Sequence, residues 1–203
     1  MNADLYEARN SIYCYEGTNV LVNKLNIRDN KTLQEAESEI VATKLFELRK
    51  NKMIGDFDIK HFTGIHKYLF EDIYPFAGKF RTENIAKGYF SFAEWEYIDT
   101  ELEKILQKLH NEELLKKDNR EQIVKDLAYY TAELNVLHPF REGNGRTIRE
   151  FIRELAYVNG YIFDLQKVSA KEILDSTIKS VVETDDLEKT YNKILSEKKD
   201  WSI

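Results

Sequence analysis

Cysteine is almost absent. Cys14 stands alone, so no internal disulfide framework can form, and the composition fits a reducing compartment. Only two prolines and eight glycines interrupt 203 residues, and no repeat, linker or low-complexity segment divides them. Positive charge is not in excess: 30 Lys and Arg face 36 Asp and Glu, a formal net charge of −6, the wrong sign for a general nucleic-acid binder. No apolar run reaches the length of a membrane span. The opening Met1-Asn-Ala-Asp-Leu-Tyr-Glu7 lacks the basic and apolar regions of a signal peptide. The expected location is the cytoplasm, with export as an effector the alternative. Neither nucleic acid nor membrane is expected as a direct partner.

What is present is 42% hydrophobic and 12% aromatic residues, enough for one good core in a single domain spanning 1–203. Its densest stretch is His138-Pro-Phe-Arg-Glu-Gly-Asn-Gly-Arg-Thr-Ile-Arg149. Ile123, Leu127, Tyr130, Leu134 and Leu137 recur at helical steps up to His138, and Pro139 cannot continue that helix. Ile148, Phe151, Ile152, Leu155 and Ala156 restart a stripe that ends near Asn159-Gly160. Gly143-Asn144-Gly145 therefore opens a helix, where backbone N–H groups and the positive dipole end suit an anion. Arg146 and Arg149 share a helix face and could both reach one polyphosphate. Glu142 is a hard oxygen ligand suited to a Mg²⁺ that bridges phosphates, and His138 is a base by type. Taken singly, each feature has a bland reading: a helix-end His, a plain glycine loop, a solvated Arg pair. Together within twelve residues they describe phosphoryl or nucleotidyl transfer.

This stretch resembles, at every defining position, the signature of the Fic family of protein adenylyltransferases, His-x-Phe-x-Asp/Glu-Gly-Asn-Gly-Arg-x-x-Arg. Similarity extends to Ile65-His-Lys-Tyr-Leu-Phe70, Ile73-Tyr-Pro-Phe-Ala-Gly-Lys-Phe-Arg81 and Asn84-Ile-Ala-Lys-Gly88. Tyr15-Glu-Gly-Thr-Asn-Val-Leu-Val-Asn-Lys24 looks like the lead-in of bacterial Fic toxins, so the resemblance covers roughly residues 13–165. It implies transfer of AMP from Mg·ATP to a Tyr, Thr or Ser hydroxyl of a target protein, with release of pyrophosphate. His138 would be the base and Arg146 would offset phosphate charge. Glu142 would hold Mg²⁺. Gly143, Asn144, Gly145, Arg146, Arg149, Lys87 and Gly88 would contact the nucleotide, and Phe140 would anchor the loop. A flap over residues 81–92 would clamp the target by strand addition. Gly145 stands where the Doc kinase branch carries Lys. The alternatives are a relative that transfers another phosphoryl or nucleotidyl group, and a non-catalytic nucleotide-sensing interaction protein.

The expected fold is all-α with a small β-hairpin flap: a lead-in over 1–31, a core over about 32–165 and C-terminal helices over about 169–197. Thr32-Leu-Gln-Glu35 has capping-box spacing ahead of a helix with Ala36, Ile40, Leu45 and Leu48 inside. Val20, Leu21 and Leu25 are core candidates in the lead-in. Asp58 caps a helix carrying Phe62, Ile65, Leu69 and Ile73, ended by Pro75 and Gly78. His61 and His66, about 140° apart on that helix, read as structural. A long helix over Glu94 to about Lys117 buries Ile98, Leu102, Ile105, Leu106 and Leu109, with His110 exposed, and Lys116-Lys117-Asp118-Asn119 connects it onward. Tyr161-Ile-Phe-Asp-Leu165 reads as a short apolar link. Ser169-Ala-Lys-Glu172 opens a helix with Ile173, Ile178 and Val182 inside, and Asp185-Asp186 opens the last, through Leu187, Tyr191 and Leu195.

Fic proteins are commonly restrained by a helix bearing Ser/Thr-x-x-x-Glu-Gly/Asn, whose Glu would pair with Arg149. Thr43…Glu47 and Thr184…Glu188 lack the final Gly or Asn. Glu16-Gly17, Glu83-Asn84 and Glu142-Gly143 lack the hydroxyl. No complete inhibitory helix is present, so a small antitoxin-like partner is expected to supply the acid, the alternative being a degenerate internal helix near Glu16.

Overall fold

Apolar side chains at three- and four-residue steps produce seven helices in the computed structural model, which describes residues 11–51, 55–88, 90–116 and 119–198. They are α1 (Asn30–Asn51), α2 (Ile59–Phe70), α3 (Ile98–Asn111), α4 (Arg120–Leu137), α5 (Asn144–Val158), α6 (Ala170–Lys179) and α7 (Asp185–Ile194). Strands β1 (Ala86–Lys87) and β2 (Phe90–Ser91) pair antiparallel as the expected hairpin, with Lys87 opposite Phe90. The position between them, Tyr89, lies outside the described residues, as do Lys117 and Asp118 of the expected connector. A second two-stranded sheet joins β3 (Tyr161–Phe163) to β4 (Leu195–Glu197). No helix among the described residues is long and apolar enough to cross a membrane.

α5 lies between α2 and α4, and α4 packs in turn on α3 and α7. The stripes on α4 and α5 are buried as expected: Ile123, Leu127, Tyr130, Leu134 and Leu137 on one, Ile148, Phe151, Ile152, Leu155 and Ala156 on the other. Asp58 caps α2, its carboxylate accepting from the His61 N–H at 2.7 Å, which satisfies an N–H that has no intrahelical partner.

Several expectations are corrected. Asp29, not Thr32, caps α1: its Oδ1 accepts from the Thr32 N–H at 2.8 Å. The buried face of α1 is Leu33, Glu37, Val41 and Leu48, while Ala36, Ile40 and Leu45 are only half-buried. α2 ends at Phe70, so Ile73 is buried from the following turn. α3 stops at Asn111, because Glu113, Leu114 and Leu115 take positive φ and turn Leu115 into the core. Leu25 is exposed. Ser169 does cap α6, accepting from the Glu172 N–H at 3.0 Å. The face it buries, however, carries Ile173 and Ser176, and Ile178 and Val182 point to solvent. The apolar link at Tyr161 is strand β3, and Leu195 belongs to β4 rather than α7.

Candidate active site

Six residues, 138–143, join α4 to α5. His138 takes the left-handed conformation (φ 48°, ψ 60°), and its N–H still bonds the Leu134 carbonyl at 3.0 Å. Pro139 then removes a donor that a sixth turn would need. Phe140 is fully buried, stacked on the His66 ring at 3.7 Å between centroids and on Phe62 at 5.6 Å. The Asn144 side chain closes the loop, accepting from the Phe140 N–H at 2.8 Å and donating to its carbonyl at 2.7 Å. His66 holds it from the side. Its Nδ1 accepts from the Gly78 N–H at 2.8 Å, so Nε2 carries the proton and donates to the Glu142 carbonyl at 2.9 Å. Burial keeps this imidazole neutral, its pKa lowered to about 4.

His138 is fixed by the same logic. Its Nδ1 lies 3.1 Å from the Asn135 carbonyl, which can only accept, so Nδ1 carries the proton and Nε2 is the basic nitrogen. Phe92, just past the hairpin, stacks over the ring at 3.8 Å. Burial first, then the nearby Arg81 and Lys87 charges, lower the His138 pKa to about 3 against the raising effect of the Asn135 bond. The buried Arg81 guanidinium ties the two regions together. Its Nε donates to the His138 carbonyl at 2.9 Å and its terminal nitrogens to the carbonyls of Glu83, Ala93 and Leu137. Arg141 is buried too, donating to Glu83 Oε1 at 2.9 Å, an oxygen that also accepts from Ser11 at 2.6 Å.

The glycine turn needs its glycine. Gly143 has φ +82°, and a Cβ there would sit 2.3 Å from Phe70 Cζ, which makes any side chain both strained and clashing. Its N–H donates to the Glu142 carboxylate at 2.9 Å. From Asn144 the α5 N–H groups have no intrahelical partner until Thr147, which bonds the Gly143 carbonyl at 3.1 Å. Arg146 lies over the Phe70 ring at 4.8 Å. It reaches Glu142 Oε1 at 3.4 Å and makes a shorter bond to Glu37 Oε1 on α1. Burial opposes the charge on Arg146, but Glu37 and Glu142 outweigh it and the net shift is upward. Glu142 is shifted upward, by burial first and then by the Glu37 charge. Arg149 makes no ion pair or hydrogen bond among the described residues, and burial lowers its pKa. A cavity of about 370 Å³ opens here, lined among others by Glu37, Tyr74, Lys87, Arg141, Glu142 and Arg146.

This geometry agrees with what the chain is similar to. The Fic/DOC family profile matches residues 56–156. "Probable protein adenylyltransferase y4lH" of Sinorhizobium fredii is 35% identical over 178 residues, 86% of this chain and 90% of that protein. The chain belongs to the Fic/DOC family. "Protein adenylyltransferase VbhT" of Bartonella schoenbuchensis is 40% identical over 90% of this chain, which spans only 38% of that protein's length. The N-terminal Fic domain of a Bartonella quintana cell filamentation protein, solved with bound ADP, superposes with a TM-score of 0.85 at 26% identity, covering 92% of this chain and 95% of that one.

Of the expected Fic/DOC residues, the structure brings Glu142, Arg146 and Lys87 onto one cavity. Gly143 and Gly145 stand at the start of α5, and Arg149 follows one turn on. Asn144 is buried with its side chain committed to the loop. Gly88 sits at the exposed hairpin turn with φ +60°. Sequence reasoning did not find Arg81, His66 or Glu37 as parts of the site. For Glu37 a signal existed: it shares a face with Leu33 and Val41 at four-residue steps, an acid on a buried stripe. Among the acids weighed as internal inhibitors, Glu47 accepts from Tyr68 at 3.1 Å and Glu188 from Thr184 at 2.7 Å.

Proposed function

We propose that this chain is a protein adenylyltransferase that moves AMP from ATP to a Tyr, Thr or Ser hydroxyl of a target protein. The observation that carries this is the tautomer of His138: with Nδ1–H on the Asn135 carbonyl, Nε2 is the basic nitrogen at a loop that ends in an anion-binding turn. The names of the relatives support the same activity. In this reading the target oxygen forms a bond to the α-phosphorus, the bond to the β-phosphate oxygen breaks, pyrophosphate leaves, and the hydroxyl proton goes to His138 Nε2. The N–H groups at the start of α5 bind the phosphates, Arg146 offsets their charge, and Arg149 takes the terminal phosphate. Gly145 leaves room where a kinase relative carries Lys.

Mg²⁺ fits the residues present. Glu142 offers a carboxylate, 26% exposed, toward the cavity, and no cluster of three His, Cys, Asp or Glu forms a self-sufficient cage among the described residues. One carboxylate completed by substrate phosphates is the usual arrangement for this ion. When bound, it neutralises charge on the α- and β-phosphates. The target is proposed to lie along the flap over residues 81–92. An antitoxin-like partner is proposed to present a Glu to Arg149, which has no acid of its own here. A Glu–Arg pair buried across that interface would be strong mainly because losing one partner strands the other charge.

Incubating lysate with the purified chain and isotopically labelled ATP, followed by mass spectrometry, tests the activity. Ser, Thr or Tyr peptides gaining AMP are expected. His138→Ala should lose about 10²–10⁴ in rate while still binding ATP. Equal labelling by parent and variant would refute the assignment.

A further inference from the structure

Glu37 lies outside the signature yet bonds Arg146 within it, and both its oxygens are engaged. Oε1 takes the Arg146 guanidinium, and Oε2 takes the Tyr74 hydroxyl. Tyr74 is itself buried and stacked on Phe76 at 4.8 Å. The carboxylate is thus held at both ends, on a helix far from the motif in sequence. The same Arg146 nitrogen has a competing acceptor, Glu142 Oε1 at 3.4 Å. One guanidinium sits between two carboxylates, and the pair on Glu37 is the closer.

We propose that Glu37, fixed by Tyr74, is a positioning residue that holds Arg146 beside the glycine turn and limits it to a long contact with Glu142 Oε1 at 3.4 Å, leaving the rest of the Glu142 carboxylate open to a divalent cation. Without Glu37 the nearest acid for Arg146 is Glu142, four residues before it, a spacing that lets the side chains meet. An Arg–carboxylate bond made there would occupy the oxygens a cation needs. Cation and guanidinium would then compete for one acid, and nucleotide binding would require more Mg²⁺. This inference rests on the Mg·ATP reading above and adds to it a residue from α1.

The experiment titrates Mg²⁺ against binding of a fluorescent ATP analogue by the full chain, for the parent, Glu37→Ala, Glu37→Gln and Tyr74→Phe, with a melting curve for each. Groups that orient a metal ligand typically change affinity by about 10–100-fold, so Glu37→Ala should raise the Mg²⁺ midpoint by about that factor. Binding should recover at saturating Mg²⁺. Glu37→Gln, which keeps an acceptor but no charge, and Tyr74→Phe should shift it less, in the same direction. A purely structural role would lower the melting temperature and leave the midpoint where it was. That result in Glu37→Ala, or in the other two variants should Glu37→Ala fail to fold, overturns the proposal. So does tighter nucleotide binding at an unmoved midpoint, which would make Glu37 a brake. A parent chain that binds Mg·ATP but transfers no AMP would sink the activity and leave the Glu37 effect measurable. A parent that binds no Mg·ATP overturns both.

Discussion

Gly143 and Gly145 stand two residues apart in the same motif, yet alanine should act on them in opposite ways. At Gly143 an alanine meets two penalties. Its φ of +82° is left-handed, worth about 1–2 kcal/mol for an L residue. Its Cβ would also lie 2.3 and 2.4 Å from Phe70 Cζ and Cε2. Phe70 is fully buried and lies beneath Arg146, so the ring cannot swing away without moving the arginine. Overpacking of this kind costs about 1–3 kcal/mol, and the two together give about 2–5 kcal/mol. For a chain of this length, about 3 kcal/mol lowers the melting temperature by about 6–12 °C. At Gly145, φ is ordinary and the nearest atom to a new Cβ is an Arg149 nitrogen at 3.9 Å, a normal contact. Alanine there should be neutral or raise the melting temperature by about 1–4 °C, since glycine weakens a helix by about 0.5–1 kcal/mol. Differential scanning fluorimetry with and without Mg·ATP reads both. Gly143→Ala should also lose most of the ligand-induced shift, because the turn that presents the N–H groups is displaced. A Gly143→Ala chain melting within about 1 °C of the parent, with its full ligand shift, would show that the loop is softer than this packing requires.

Acid should destabilise the chain through its buried neutral imidazoles. His66 and His138 are lowered to about 4 and about 3, whereas the unfolded chain takes up both protons near 6.5. Stability is therefore intact above pH 6.5 and falls as the pH drops toward 3, where the unfolded state holds more protons. Urea unfolding of His138→Ala from pH 7 to 4.5 should show a shallower decline than the parent, and parallel curves would contradict the buried neutral state. Arg81→Met should cost several kcal/mol, since it strands carbonyls at about 1–3 kcal/mol each. Hydrogen exchange should then rise together in residues 81–93 and at the end of α4, and a change confined to either segment would argue against the tie.

How much could be read in advance depended on how local each interaction is. The stripes of α4 and α5 lie wholly within their own segments, and the motif between them is contiguous, so both were legible. The sheet joining Tyr161–Phe163 to Leu195–Glu197 was not: three-residue strands leave no periodic trace, and their partner is more than thirty residues away in the chain. On α1 the apolar pattern pointed at Ala36 and Ile40, because a charged Glu37 on the inner face breaks the stripe. Arg146 arriving from α5 and the Tyr74 hydroxyl together make that charge bearable. The capping-box spacing pointed to Thr32, but Asp29 three residues earlier has the same chemistry and accepts from the Thr32 N–H itself. Ile178 and Val182 follow Ile173 at plausible steps, yet the face that α6 buries carries Ile173 and the small Ser176.

Arg81 ties the hairpin and His138 to a single guanidinium, with one hydrogen bond to the His138 carbonyl and others to carbonyls on either side of the hairpin. An extended segment paired to that hairpin would then be measured against a fixed point. Side chains on a strand alternate faces every residue, so a slip of one position turns a hydroxyl away from His138 altogether. If the target lies along the hairpin as proposed, selection would act on where along the segment a hydroxyl falls more than on which amino acid bears it, and the hairpin would serve as a ruler.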